Sequence, residues 1–588
     1  MNHHSVPLCR VRFRLLAITS ASLWLLGPAF DVAVSAPTLN WSASVDTGSS
    51  VSDRTKAVGL TNSGDVIAAC QIASGTSAQI RVRRLASASG SATWTRDVGT
   101  AGVTEDVAAI AVDPVTGNTF VAARAASVSN GLDWLVFKVN GSDGSLGWIS
   151  SYTFSTSGND QPRAITFTSD NHIAVAGMET NPANGSSRLR VTKINTSTGA
   201  QIWNFTSSTD NTDAFALGAD TLGNVIAAGR NGVDAFVVSL GSAGSSNWLQ
   251  TYNGTGNGLD AWNAVTVLSN RDLAVAGYVT GSTGGQNFCA ARYASTGGSP
   301  AWVREINGSA NGDDAAFDIV RDATDNLYAV GLLRNSTNGQ TGHLAKLAGA
   351  GGTVTWSVSK NGGSSVAEAT DAFFSVSVLG GGDVLAAGTQ ADAANKSNIL
   401  VSRYSSAGVF SEDTVFDGAA HNHDLLLSKN LLATTGSSFF VIGGDSENAS
   451  AFSDGVVRAY STLTPIENWR QTWYGTTSNT GNAADTAVPY GNGIPNLAVF
   501  AFFGPSQNPA TAKASMLPQT QLSGGNLTCG FTQPAGVSGI TYGAESSATL
   551  LSGDWLVVPD TGIPPQHNFS IPMGSATKLF LRLKVTNP

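Results

Sequence analysis

The 588-residue chain exceeds what one hydrophobic core usually supports, so several units or a repeat array are expected. Charged residues are only 12% of it, against a usual share of about 25%, while hydrophobic residues reach 42%, a balance that excludes extended disorder. With 32 basic and 41 acidic residues the net charge is -9, which leaves no surplus to neutralise phosphates, and nucleic-acid binding is disfavoured.

The chain opens with Arg10, Arg12 and Arg14, an apolar run over residues 15–26, and small residues through Val34, Ser35 and Ala36. Residues 1–36 therefore read as a secretory signal peptide. No later run reaches the ~18 to 20 apolar residues that a membrane span requires. The expected mature protein is soluble, monomeric and exported, either secreted or held at the cell surface. It keeps 29 basic and 40 acidic residues, a formal charge of -11. It also keeps Cys70, Cys289 and Cys529, too scattered and odd in number for a disulfide framework. Cys70 and Cys289 fall inside apolar strand patterns and read as small buried hydrophobes.

From Trp41 onward the chain repeats. Tryptophans recur at Trp41, Trp94, Trp148, Trp203, Trp248, Trp302 and Trp356, with spacings of 53, 54, 55, 45, 54 and 54, and one more period lands on Phe410. Independently, a strand ending in a small residue recurs eight times: GDVIAAC (64–70), GNTFVAA (117–123), NHIAVAG (171–177), GNVIAAG (223–229), RDLAVAG (271–277), DNLYAVG (325–331), GDVLAAG (382–388) and SSFFVIG (437–443). An Asp-led apolar run precedes each copy. After it comes a strand ending in a basic residue (Arg84, Lys138, Lys193, Arg292, Lys346, Arg403 and Arg458, with Ser239 the exception), and a Gly four residues before the aromatic. Short Val/Ile/Phe runs between Gly, Asn, Asp and Ser clusters read as strands joined by tight turns.

Four such strands make one blade of a propeller. The first three strand types occur eight times, but the aromatic-led fourth follows only seven of them, and an unmatched fourth strand, LNWSASV (39–45), precedes the first. A ring resolves the mismatch if the strand around Trp41 completes the last blade, whose own strands fall near 424–429, 438–443 and 455–460, and closure removes the free sheet edges. The expected fold class is all-β: an eight-bladed β-propeller over residues 37–462, with seven blades as the alternative.

The runs KINTSTGAQIW (193–203), RLASASGSATW (84–94), KVNGSDGSLGW (138–148) and RYASTGGSPAW (292–302), with Gly199, Gly90, Gly144 and Gly298 four residues before the Trp, resemble the tryptophan-docking motif of quinoprotein-like eight-bladed propellers. They are also similar to β-propeller repeats of secreted bacterial proteins. The resemblance covers roughly residues 40 to 462 and implies the frame; its dehydrogenase members share a vicinal disulfide and a calcium site, and no two cysteines are adjacent here.

Beyond the repeats, residues 468–485 read as a short helix and linker, within a segment 463–509. The run 487–509 resembles a thrombospondin type 3-like calcium segment whose carboxylate positions hold Val488, Tyr490, Asn492 and Val499, with Asn496 retained, so no tight calcium site is expected there. Residues 510–588 look like the C-terminal β-sandwich module of the same secreted proteins, with Leu579, Leu581, Leu583 and Val585 alternating toward one face.

Catalytic signatures such as GxSxG, HExxH and GxxxxGK[ST] are missing from the chain. His421 and His423, followed by Asp424, read as a solvated loop pair, with metal ligation as the other reading. The remaining constellation is the Asp that opens each blade: Asp53, Asp106, Asp160, Asp213, Asp260, Asp314, Asp371 and Asp424. At one mouth of the channel they could ring a cation or ligand, Ca2+ being the one cofactor candidate; alternatively each caps its own turn. Repetition of one residue type favours a non-enzymatic binding scaffold for an extracellular polysaccharide or protein. The alternative is an exported glycan-active hydrolase or lyase with its site at the channel mouth.

Overall fold

The computed structural model describes residues 37–587 apart from 49–51, 76, 101, 127–130, 155–157, 284, 338, 363–370, 437–438, 451, 462, 464, 536, 538, 552 and 575–577; the segment read as a signal peptide lies outside the described residues. The chain divides into two compact units, Ala36–Thr462 and Leu463–Pro588.

In the first unit, seven sheets among the described residues are each built from four consecutive antiparallel strands. Their first strands are Arg54–Leu60, Glu105–Val112, Gln161–Phe167, Thr212–Ala219, Ala261–Val267, Ala315–Arg321 and Ala372–Val378. Each packs beside the first strand of the next sheet. The second strands carry the recurrent small-residue segment, and in Val225–Asn231 five successive residues are buried. Sheets covered on both faces need such unbroken apolar runs, because neither side of the strand meets water.

The terminal glycine of that segment has a steric cause. A Cβ at Gly177, Gly229 or Gly277 would stand 2.1, 2.0 or 1.9 Å from a carbonyl oxygen of the first strand. There the first strand carries one extra residue, a bulge at Lys56, Ala108, Arg163, Phe215, Asn263, Phe317 and Phe374 in turn.

The eighth sheet is closed by the N-terminal strand. Thr38–Val45 pairs antiparallel with Ser453–Ser461, Trp41 opposite Ala459. This sheet also meets the first: Asp53 N–H donates to the Ser453 carbonyl at 2.7 Å, and one core cluster holds Trp41, Val58, Val66, Cys70, Val441 and Val457. Among the described residues the first unit thus holds eight such sheets, the eighth completed by Thr38–Val45.

Tryptophans bind successive blades. The indole N–H of Trp41, Trp94, Trp148, Trp203, Trp248, Trp302 and Trp356 donates to a carbonyl of the following blade at 2.7 to 3.1 Å. Each ring lies on that blade's turn glycine; a Cβ on Gly90 or Gly352 would sit 2.5 or 2.4 Å from the indole of Trp41 or Trp302. One sequence assignment shifts: Trp248 lies on Gly297, while Gly298 faces open space. Phe410 does not repeat the docking; it is 50% exposed and packs on Tyr404 of its own sheet.

The expected strand at 424–429 is a second correction. It breaks after Asp424–Leu425 and resumes as Leu432–Thr435. Six residues stand here opposite only Gly443 and Gly444 of the partner strand, where the other sheets have a one-residue bulge.

In the second unit, Gln521–Ser523, Asn526–Thr532 and Gln566–Pro572 form one three-stranded sheet, and Leu556–Val558, Thr541–Ser547 and Phe580–Thr586 another. Cys529 and Phe569 of the first pack on Ala544, Val558 and Leu581 of the second, which makes a small sandwich. The segment 463–509, expected to hold a short helix and linker, supplies two helices, Pro465–Tyr474 and Asn496–Phe503, whose Ile466, Trp469, Leu497 and Phe500 share a core with Val537 and Val585. Val488 and Tyr490 are exposed, while the Asn492 and Asn496 amides donate to loop carbonyls.

Candidate functional site

The structure separates the eight Asp into two sets. Six carboxylates (Asp53, Asp160, Asp260, Asp314, Asp371 and Asp424) are at most 2% exposed and lie directly before the first strand or at its start. In five of them one oxygen accepts a backbone N–H from the connection entering the blade and the other accepts an N–H twenty residues ahead, at the end of the second strand. For Asp260 these donors are Gly254 and Thr280, at 2.5 and 2.6 Å. Asp424 accepts Gly418 N–H at 2.6 Å. Such caps stitch each blade to its entry. Burial raises the carboxyl pKa of Asp260, Asp314 and Asp371 despite these bonds.

Asp106 and Asp213 sit one register further on. The cap position in their blades is held by Glu105, which accepts Thr100 N–H at 2.8 Å, and by Thr212, whose hydroxyl accepts Leu189 N–H at 2.7 Å. The displaced carboxylates reach the bulge residue of the preceding blade instead: Lys56 Nζ lies 3.1 Å from Asp106, and Arg163 Nη2 lies 3.0 Å from Asp213. Arg124 adds a second cation to Asp106 at 2.7 Å. Burial raises the Asp213 carboxyl pKa and Arg163 opposes it.

Between the blades, residues 426–431 of the closing sheet leave the wall. Lys429 Nζ donates to the carbonyls of Phe215 and Asn263 at 3.1 and 2.6 Å, Asn430 Nδ2 to the Ala108 carbonyl at 3.2 Å, and Ser375 Oγ to the Lys429 carbonyl at 2.9 Å. One turn reaches the first strands of four blades only because those strands surround it. It plugs the central channel, and Leu431 packs where a Cβ on Gly443 would fall. Enclosure by protein lowers the Lys429 pKa and pushes Asp318 up to about 6, each opposed by the other's charge.

The plug divides two cavities. One, of about 290 Å3, is lined by Asp106, Arg124, Gln161, Arg163, Phe215 and Lys429, together with Ser428 and Asn430. The other, of about 140 Å3, lies further along the first strands, beside Ile110, Ile165, Leu217, Val265 and Asp318. The first is the candidate site. It gathers unlike groups from several blades, an arrangement that the repeat pattern did not announce.

The repeated basic residues belong elsewhere. Arg84, Lys193, Arg292 and Arg403 pair with Asp65, Asp170, Asp272 and Asp383 at 2.7 to 2.8 Å, in the turns leading into the second strands. The Asp in GDV and RDL was the overlooked signal. His421 is exposed and lies 2.6 Å from Asp417, whereas His423 accepts Ser397 N–H at 3.2 Å, so the two rings do not converge. No group of three metal-ligating side chains occurs among the described residues. Cys70, Cys289 and Cys529 are buried, and burial pushes the Cys70 thiol up to about 12. No helix among the described residues is long and apolar enough to cross a membrane.

No protein-family model matches the chain, and no curated protein matches it. Solved structures do. BamB from Moraxella catarrhalis is 14% identical with a TM-score of 0.42, over 72% of this chain and 100% of that one. Sqt1 from Chaetomium thermophilum, bound to the N-terminus of the ribosomal protein L10, is 12% identical with a TM-score of 0.48 over the same shares. Quinohemoprotein alcohol dehydrogenase from Comamonas testosteroni is 12% identical with a TM-score of 0.39, over 82% of this chain and 88% of that one. The class, a β-propeller carrying a small β-sandwich, rests on the sheet order and closure described above.

Proposed function

We propose that the protein is an exported, non-enzymatic binding scaffold whose propeller receives an extracellular ligand at the channel mouth. The observation that carries this reading is a preformed recess, lined by polar groups that ion pairs within and between blades already hold in place. Preorganised groups lose little freedom on binding, which favours recognition. Asp106 lies between Lys56 and Arg124, so both sides of its carboxylate are already engaged by ion pairs. Export rests on Arg10, Arg12, Arg14 and the apolar run that follows them.

One observation favours a second reading, an exported glycan hydrolase or lyase: Asp106 and Arg124 of one blade, Arg163 of the next and Lys429 of the closing sheet converge on one recess, as catalytic groups do. The test is a panel of polysaccharides and proteins incubated with the purified chain, following binding and product release together. Binding without product supports the scaffold. Shortened glycans would replace it with the enzyme.

A further inference from the structure

The strongest unexplained feature is the sign of charge at the mouth. A chain with a mature formal charge of -11 directs three cations, Arg124, Arg163 and Lys429, into a recess lined by one carboxylate, Asp106. Arg124 and Arg163 each direct one terminal nitrogen to an Asp, and a guanidinium has five N–H donors. The buried Nε of Arg163 has no hydrogen-bond partner among the described residues. Donors therefore remain for an anion, and planar guanidinium groups match a carboxylate in two-point contact.

The rest of the lining narrows the class. Gln161, Ser428 and Asn430 offer amide and hydroxyl groups, which suit a polyol. Phe215 supplies one aromatic ring, with the Arg163 guanidinium 6.0 Å from its centroid. An amino group would meet three cations, which disfavours a free amino acid. The cavity of about 290 Å3 falls at the lower end of small-molecule sites, so it holds one unit rather than a chain.

Resting on the binding function proposed above, we infer that the recess is a subsite for a carboxylated sugar, one uronate unit of an acidic glycan. The carboxylate lies against Arg124 and Arg163, the ring faces Phe215, and its hydroxyls meet Gln161 and Asn430. Lys429 closes the floor and adds charge. The acidic remainder of the chain repels a polyanion elsewhere and leaves the mouth as the place of contact.

Calorimetry on the full mature chain tests this with sodium galacturonate, galactose and N-acetylglycine as probes. Galacturonate is expected to bind at least about tenfold more tightly than galactose, and Arg124→Gln and Arg163→Gln each to weaken it about tenfold, the scale of a charge-assisted contact. Arg81→Gln, which removes an ion pair to Asp97, should leave binding unchanged and serves as the folded control. Thermal melts identify any variant that has lost its fold. Equal binding of galactose, absence of galacturonate binding, or binding indifferent to both arginine variants would overturn the assignment. Tighter binding of N-acetylglycine would overturn the sugar and point to a peptide carboxylate. A neutral glycan that binds the wild type and both variants alike would remove the uronate subsite while leaving the scaffold standing.

Discussion

Seven first strands carry a single extra residue at the same register, whereas the first strand of the closing sheet sets six residues against two and sends Lys429 and Asn430 into the channel. The regular blades make a wall: capped entries, docked tryptophans and small residues where strands approach. The closing blade departs from that grammar, and the departure makes a floor for the recess. The same contrast holds between carboxylates. Asp260 is committed to backbone amides, while Asp213, one register on, is free to hold Arg163. Repetition built the frame, and broken repetition built the site.

The contrast breaks most visibly at the plug. Lys429→Met strips Asp318 of its nearby cation and leaves the Phe215 and Asn263 carbonyls without their donor, at an expected cost of about 3 to 4 kcal/mol in chemical denaturation. Adding Asp318→Asn should recover part of that loss; a fully additive double variant would show that the pair is not coupled.

Next comes the division between caps and mouth. Asp260→Ala abandons two buried N–H groups and is expected to cost about 3 kcal/mol, against about 1 kcal/mol or less for Asp213→Ala, because Arg163, with a 38% exposed side chain, can turn to water. Equal costs would erase the distinction.

A smaller effect separates neighbouring glycines. Gly297 and Gly298 both have positive φ, at 84° and 96°, but only Gly297 lies under Trp248. Gly297→Ala should cost about 2 kcal/mol and Gly298→Ala about 1 kcal/mol, and reversal in melting curves would return the docking to Gly298.

The smallest effect is one of pH. Burial pushes Asp445 up to about 7, opposed by Arg54, Lys56 and the Thr55 amide and reinforced by Asp106. A folded carboxyl pKa above its unfolded value means that the native state holds the extra proton, so this group's contribution weakens as pH rises from about 4 to about 7. Asp445→Asn should flatten that part of the stability profile, and an unchanged slope between pH 5 and 8 would show that Asp445 does not titrate there.

The blade period and the docking tryptophans were legible because each is a recurrent residue at a recurrent spacing, and the unmatched strand around Trp41 pointed to its partner at Ser453–Ser461. The split among the Asp was half legible. Asp213 precedes Gly229 by 16 residues, whereas Asp53, Asp160, Asp260, Asp314 and Asp371 precede Cys70, Gly177, Gly277, Gly331 and Gly388 by 17. Asp106 hides the same displacement, for its spacing to Ala123 is also 17, and the turn between Val112 and Thr119 is one residue longer than that between Phe167 and Ile173. The plug was not legible. Nothing in LLLSKNLL (425–432) distinguishes a lysine entering a channel from one pointing to water; that depends on carbonyls contributed by other blades, hundreds of residues away.

The pairing of Thr38–Val45 with Ser453–Ser461 also orders events in time. The earliest strand of the ring to be synthesised is the last to find its partner, more than 400 residues later. Until then the growing array has an open edge at Ser453–Ser461 and an unmet indole at Trp41, both invitations to pairing with other chains. A chain that stops short of residue 453 lacks the strand that Thr38–Val45 pairs with, so the seam depends on the two segments of the propeller that lie farthest apart in sequence.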